Sequence, residues 1–174
     1  ITSRCQIMHL KLIDRKQVID EAITKGVSEQ DADLLSYFYN DADFILDALK
    51  NKETEEAFEE AKNGFIQLIK ALGSENSSEA IYTCETNITP IIKTKESARF
   101  FLDILIQAFE DLVNIKHGKN PLLKSYSNEL TILVKNLSHI ENSLLEILRC
   151  RNLINTNVNI PLLLDHLMLD ITKE

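Results

Sequence analysis

Between Asp14 and Gly26, Val18, Ile19, Ala22 and Ile23 stand one, three and four residues apart, the spacing of a single helix face. Asp14 supplies a capping side chain and Gly26 a stop. Ser28 followed by Asp31 predicts a capping box for a second helix carrying Leu34, Leu35 and Phe38. Asp41 predicts the start of a third, with Phe44, Ile45, Ala48 and Leu49 inward. Three short helices within about 40 residues bury little surface, so they need a neighbour or form a small lid.

Beyond Asn51 the helices lengthen. The acids Glu53, Glu55 and Glu56 suit a helix N-terminus, and Phe58, Ala61, Phe65, Leu68, Ile69 and Leu72 then recur at helical spacing. Gly73-Ser74-Glu75-Asn76-Ser77 reads as a loop. A helix follows from near Ser78, with Pro90 kinking or ending it. The strongest stripe is Phe101, Ile104, Leu105, Ala108, Leu112 and Ile115, up to Gly118. Phe100 and Phe109 broaden it, which predicts burial between several helices. Asn120-Pro121 restarts the chain into a helix with Tyr126, Leu130, Leu133 and Leu137. Ser138 with Glu141 predicts another capping box, opening a helix through Leu144, Leu145 and Leu148. Asn159 and Pro161 begin the last, with Leu163, Leu164, Leu167, Met168 and Ile171 apolar. Residues 1–9 read as a short strand and its exit. The expectation is an all-α chain of about nine helices joined by short polar turns, as in helical bundles.

Composition narrows the function classes. Only four glycines and three prolines interrupt the pattern. The glycines are isolated, so no phosphate loop or dinucleotide fingerprint exists, and Gly-x-Ser-x-Gly and His-Glu-x-x-His are absent. No apolar run reaches the ~18 residues of a membrane span, and no signal peptide is visible. A net charge of −8 repels phosphate backbones and argues against strong nucleic-acid binding by this chain alone. Cys5, Cys84 and Cys150 form no paired framework and read as reduced thiols of a cytoplasmic protein. His9, His117, His139 and His166 lack ligand spacing and read as surface or helix-end residues. Asp31 with Asp33, and Asp41 with Asp43, resemble cation ligands. A calcium loop starting at Asp41 would need glycine where Leu46 stands and an acid where Lys52 stands. Capping and first-turn acids account for both pairs.

Three stretches, in order, carry a family resemblance. The first is Ser3-Arg4-Cys5 with Ile7, His9 and Leu10 after it. The second is Asp43-Phe44-Ile45-Leu46-Asp47-Ala48-Leu49, in the place of a Gly-x-x-Arg-x-Ala-Leu motif. The third runs from Arg151-Asn152-Leu153 through Asn157-Val158-Asn159 to Leu162-Leu163-Leu164-Asp165-His166-Leu167-Met168-Leu169. Together they resemble the C-terminal part of AAA+ clamp-loader subunits, within them the delta-prime subunits of bacterial DNA polymerase III, most like those of Gram-positive bacteria. The resemblance spans the chain, although residues 75–140 follow it by helical pattern alone.

The resemblance implies that residues 1–9 are the trailing strand of an AAA+ core, 10–50 a three-helix lid, and 53–174 a helical collar that joins subunits. The first residue, Ile1 rather than Met, then suggests a fragment cut at a domain boundary. It also implies that Arg4, presented by Ser3 and Cys5, is a catalytic arginine finger acting in trans on ATP held by an adjoining subunit. The chain itself would bind no nucleotide or metal and hold no complete active site. The implied partners are the gamma/tau and delta clamp-loader subunits; the sliding clamp and primed DNA are met only through the whole complex, with no membrane involved. A gamma/tau-type ATPase subunit shares this architecture, but its sensor 2 arginine would fall at position 46, which is Leu. A helical adaptor unrelated to replication explains the periodicities but leaves three ordered matches to coincidence.

Overall fold

The computed structural model describes residues 14–74 and 76–172, and the chain divides into two compact units, Ile1–Asp47 and Ala48–Glu174. Nine α-helices and no strand occur among the described residues. The strand expected over residues 1–9 lies outside them.

The first unit holds α1 (Arg15–Thr24), α2 (Glu29–Leu35) and most of α3 (Ala42–Lys50). The Asp14 side chain accepts the Lys16 N–H at 3.1 Å, satisfying a donor that the first turn leaves orphaned. At the other end Gly26 adopts φ +98, and the Val27 N–H returns to the Ala22 carbonyl at 3.0 Å. Ser28 Oγ accepts the Asp31 N–H at 3.1 Å and starts α2. Val18, Ala22, Val27, Ala32, Leu34, Leu35, Ala42 and Ile45 are buried. Two inward assignments are corrected. Phe38 lies beyond the end of α2 and is only partly buried, while Phe44 is 64% exposed.

Asp33 is likewise no capping residue. It is buried, and Arg15 reaches it from the first turn of α1. Arg15 Nη2 donates to Asp33 Oδ1 and to the Asp33 carbonyl, both at 2.7 Å. Its Nε donates to Ser36 Oγ at 2.9 Å, and the guanidinium carbon sits 4.1 Å from the Tyr37 ring centroid. One planar cation therefore ties the start of α1 to the end of α2.

The second unit is built around α4 (Lys52–Leu72) and α6 (Lys95–Lys116), which pack directly on each other. α5 (Ser77–Thr83) runs into a π-helical turn, Cys84–Ile88, which contacts α4 and α9. After a 3₁₀ turn at Lys124–Tyr126 come α7 (Ser127–Asn136), α8 (Ile140–Leu153) and α9 (Ile160–Ile171). α7 and α8 lie against α6, and α9 lies against α8 and α5. The broad aromatic stripe of α6 is thereby covered from several sides, as its sequence predicts. Phe58 meets Phe100 edge-on at 6.0 Å and Phe65 meets Tyr126 at 5.1 Å.

Polar groups fix the joints. Asn51, Asn76 and Asn159 cap α4, α5 and α9. Thr94 and Ser97 form a reciprocal capping box on α6 that the sequence reading missed. Asp111, fully buried, accepts the N–H groups of Leu122 (2.9 Å) and Leu123 (2.7 Å), and so pins the loop after α6 onto that helix. Arg151 of α8 engages both oxygens of Asp103 on α6.

The start and phase of α8 depart from expectation. His139 occupies the N-cap position without a side-chain bond, so Ser138 and Glu141 form no capping box. Glu141 instead accepts from Lys116 Nζ at 2.7 Å, and that hydrogen bond holds its carboxyl below the usual carboxylate range. The buried residues of α8 are Ile140, Ser143, Ile147 and Cys150, not the predicted Leu144, Leu145 and Leu148. Ser143 joins the inner face because its hydroxyl donates back to the His139 carbonyl at 3.1 Å.

Candidate interaction surface

The rotation of α8 turns leucines outward. Among the described residues, five of the ten exposed large hydrophobic side chains belong to α8 and α9: Leu145, Leu148, Leu153, Leu162 and Leu169. Single exposed leucines are ordinary, but this concentration on two adjacent helices makes them the candidate interaction surface.

The α9 leucines are as well determined as its core. Asn159 accepts the Leu162 N–H at 3.1 Å, which sets the helix start. Ile160, Leu163, Leu164, Leu167, Met168 and Ile171 then face inward, leaving Leu162 and Leu169 on the opposite side at 67% and 52% exposure.

Two shallow hollows border these residues. One, of about 400 Å³, is lined by His139, Asn142, Leu145, Glu146, Arg149 and Asp170. The other, of about 380 Å³, is lined by His166, Leu169, Asp170 and Thr172. Asp170 belongs to both, and its carboxylate lies 3.0 Å from His166 Nδ1. Arg149 Nη1 donates to Glu146 Oε1 at 2.5 Å. The surface thus offers apolar contact and carboxylates.

The other candidates from the sequence fare differently. Ser3, Arg4, Cys5 and His9 lie outside the described residues. Leu46 sits half-buried in α3, without a donor for phosphate. In the aspartate pairs, Asp31 accepts from Ser28 Oγ at 2.6 Å, and Asp41 accepts the Asp43 N–H at 2.7 Å. Asp43 takes Lys25 Nζ at 2.6 Å, a bond that raises the lysine's pKa. Among the described residues no cluster of three or more His, Cys, Asp or Glu is arranged to hold a metal. His117 and His139 stand at helix ends, exposed. Cys84 and Cys150 are buried free thiols, and burial pushes each up to about 11, which leaves them protonated and poorly nucleophilic near neutrality. No helix among the described residues is long and apolar enough to cross a membrane.

The leucine-bearing outer face of α8 and α9 is the candidate surface among the described residues. The chain is similar to DNA polymerase III subunit delta' of Bacillus subtilis (strain 168). The two are 25% identical over 173 residues, which is 97% of this chain and 51% of that protein. The chain therefore spans about half the length of the curated relative it matches. No family model and no solved structure matches it.

Proposed function

We propose that this chain is the lid and collar portion of an accessory, non-hydrolysing clamp-loader subunit of the delta-prime type. Residues 10–50 serve as the AAA+ lid and 53–174 as the collar, which assembles with gamma/tau and delta subunits in the cytoplasm. ATP is held and hydrolysed by the adjoining subunit, and the sliding clamp and primed DNA are handled by the whole complex. The observation that carries this reading is the similarity to DNA polymerase III subunit delta' along nearly the entire chain. The leucine-bearing face of α8 and α9 supports an assembling role. Leu46, where a hydrolysing member has an arginine, weighs against a gamma/tau-type subunit.

Arg4 is the proposed finger. Charge accumulates on the γ-phosphoryl oxygens during transfer, and a permanently charged planar donor fork can stabilise it across a subunit boundary. Arg4→Ala in the full-length subunit should leave folding and collar assembly intact. It should lower hydrolysis at the adjoining ATP site by about 10³-fold or more, and slow clamp loading in step. The test is the steady-state ATPase of the reconstituted complex with clamp and primed DNA. Wild-type hydrolysis and loading by the variant would remove Arg4 from the mechanism.

A further inference from the structure

We propose that Asn63-Gly64, in the middle of α4, is a deamidation site sealed by the fold. A chain that stays open converts Asn63 to isoaspartate and can no longer rebuild the helix. The site is independent of the functional reading above.

Of the four glycines, only Gly64 follows an asparagine. Asn51, Asn76 and Asn159 have their place as helix caps. Asn63 stands inside a helix instead, and it is exposed. Gly64 beside it is buried, and an added Cβ would meet Ile92 Cδ1 at 3.1 Å and both Ile88 Cγ2 and Phe101 Cδ2 at 3.4 Å. Packing thus limits position 64 to the smallest residues. Glycine, the smallest, puts no side chain in the way of a reaction with Asn63.

The reaction needs only water and hydroxide. The Gly64 amide nitrogen, deprotonated by hydroxide, attacks Asn63 Cγ. A five-membered imide ring closes as the Cγ–Nδ2 bond breaks, and the leaving nitrogen takes a proton from water and departs as ammonia. Water then opens the ring at either carbonyl, giving aspartate or isoaspartate. Inside α4 that path is closed. The N–H of residue 64 is held toward the carbonyl of residue 60 in the helical ladder, and ring closure requires Asn63 to leave the helical ψ of about −42°. Moving this peptide would also disturb the close packing of Gly64 on Ile88, Ile92 and Phe101, all fully buried. In the open chain neither restraint remains. The isoaspartate product carries an extra backbone carbon at position 63. It shifts the register of Phe65, Leu68, Ile69 and Leu72, buried residues that follow it, so they cannot return to the core together.

The experiment holds the full-length protein at mildly alkaline pH, either folded in buffer or unfolded in guanidinium chloride. Cleavage at glutamates then releases the 61–75 peptide, in which Asn63 is the only asparagine. Its amide, aspartate and isoaspartate forms are separated and weighed. Deamidation should be at least about 30-fold slower in the folded protein, because a packed helix opens only at a free-energy cost. The refolded yield of the wild type should fall with time in denaturant, in step with the isoaspartate fraction. Asn63→Gln alters an exposed side chain and closes the ring poorly, so it should refold with its yield kept. The wild-type peptide measurement stands whether or not that variant folds. Equal rates in the folded and unfolded protein would overturn the seal. An intact Asn63 after prolonged unfolding would overturn the site itself. Loss of yield at the same rate in wild type and Asn63→Gln would overturn the link between this lesion and refolding.

Discussion

Asp111 has no exposed surface and retains two N–H donors from the loop that follows its helix. Cys84 and Cys150, also buried, must stay protonated to remain in the core. Burial raises each from an ordinary 9.0 to about 11. Between those values the unfolded chain has lost protons that the folded chain still binds, so stability falls as pH rises. Below pH 9 the contribution is fully present. The urea midpoint should therefore decline from pH 9 to pH 11, and Cys84→Ala with Cys150→Ala should flatten that decline. A slope unchanged in the double variant would show that other groups set it. The same protonation predicts slow labelling by thiol reagents until the protein unfolds.

At the scale of elements, the packing of the turn after α5 onto α4 depends on one missing side chain. A Cβ built at Gly64 would meet Ile92 Cδ1 at 3.1 Å, Ile88 Cγ2 at 3.4 Å and Phe101 Cδ2 at 3.4 Å. All three neighbours are fully buried and have little space to yield into. Gly64→Ala gains about 1 kcal/mol of helix propensity and loses a comparable amount to crowding, so its melting temperature should stay near the wild type. Gly64→Val adds two methyl groups to the same gap and should cost about 1–3 kcal/mol. Thermal melts of the two variants decide it; equal stability of Gly64→Val and wild type would show that Ile88 and Ile92 can yield freely. Such helix pairs are legible in the sequence where the apolar stripe is broad, as for Phe58 to Leu72 and Phe100 to Leu112. They are illegible where two faces are both apolar. In α8 the leucines at 144, 145 and 148 outnumber the true inner residues in hydrophobicity, yet Ile147 and Cys150 win because α6 and α9 flank that side. Phe44 misleads in the same way, being apolar and exposed. Asp33 was misread for another reason. Its partner Arg15 is 18 residues away, and no local spacing announces such a pair. Of the exposed leucines, Leu145 and Leu148 fall in the apolar stripe predicted for α8, whereas Leu162 and Leu169 stand outside the stripe read for α9.

For the whole molecule, charge and assembly point the same way. Protein affinity for DNA comes largely from lysine and arginine contacts that release counterions from phosphate, and each lost contact lowers both affinity and its salt dependence. Here 27 acids stand against 19 bases, and several bases are already committed. Lys25 pairs with Asp43, Lys116 with Glu141, Arg15 with Asp33 and Arg151 with Asp103. The first turn of α4 adds Glu53 and Glu55 as a local acidic field. A primed DNA strand approaching this chain would meet net repulsion. The chain should show no binding to fluorescently labelled primed DNA at physiological salt, and lowering the salt should not recover specific binding. Under the proposed clamp-loader role, the reconstituted complex should still bind the same DNA. Micromolar affinity of the chain alone would place a nucleic-acid site on it and contradict a role confined to holding subunits together.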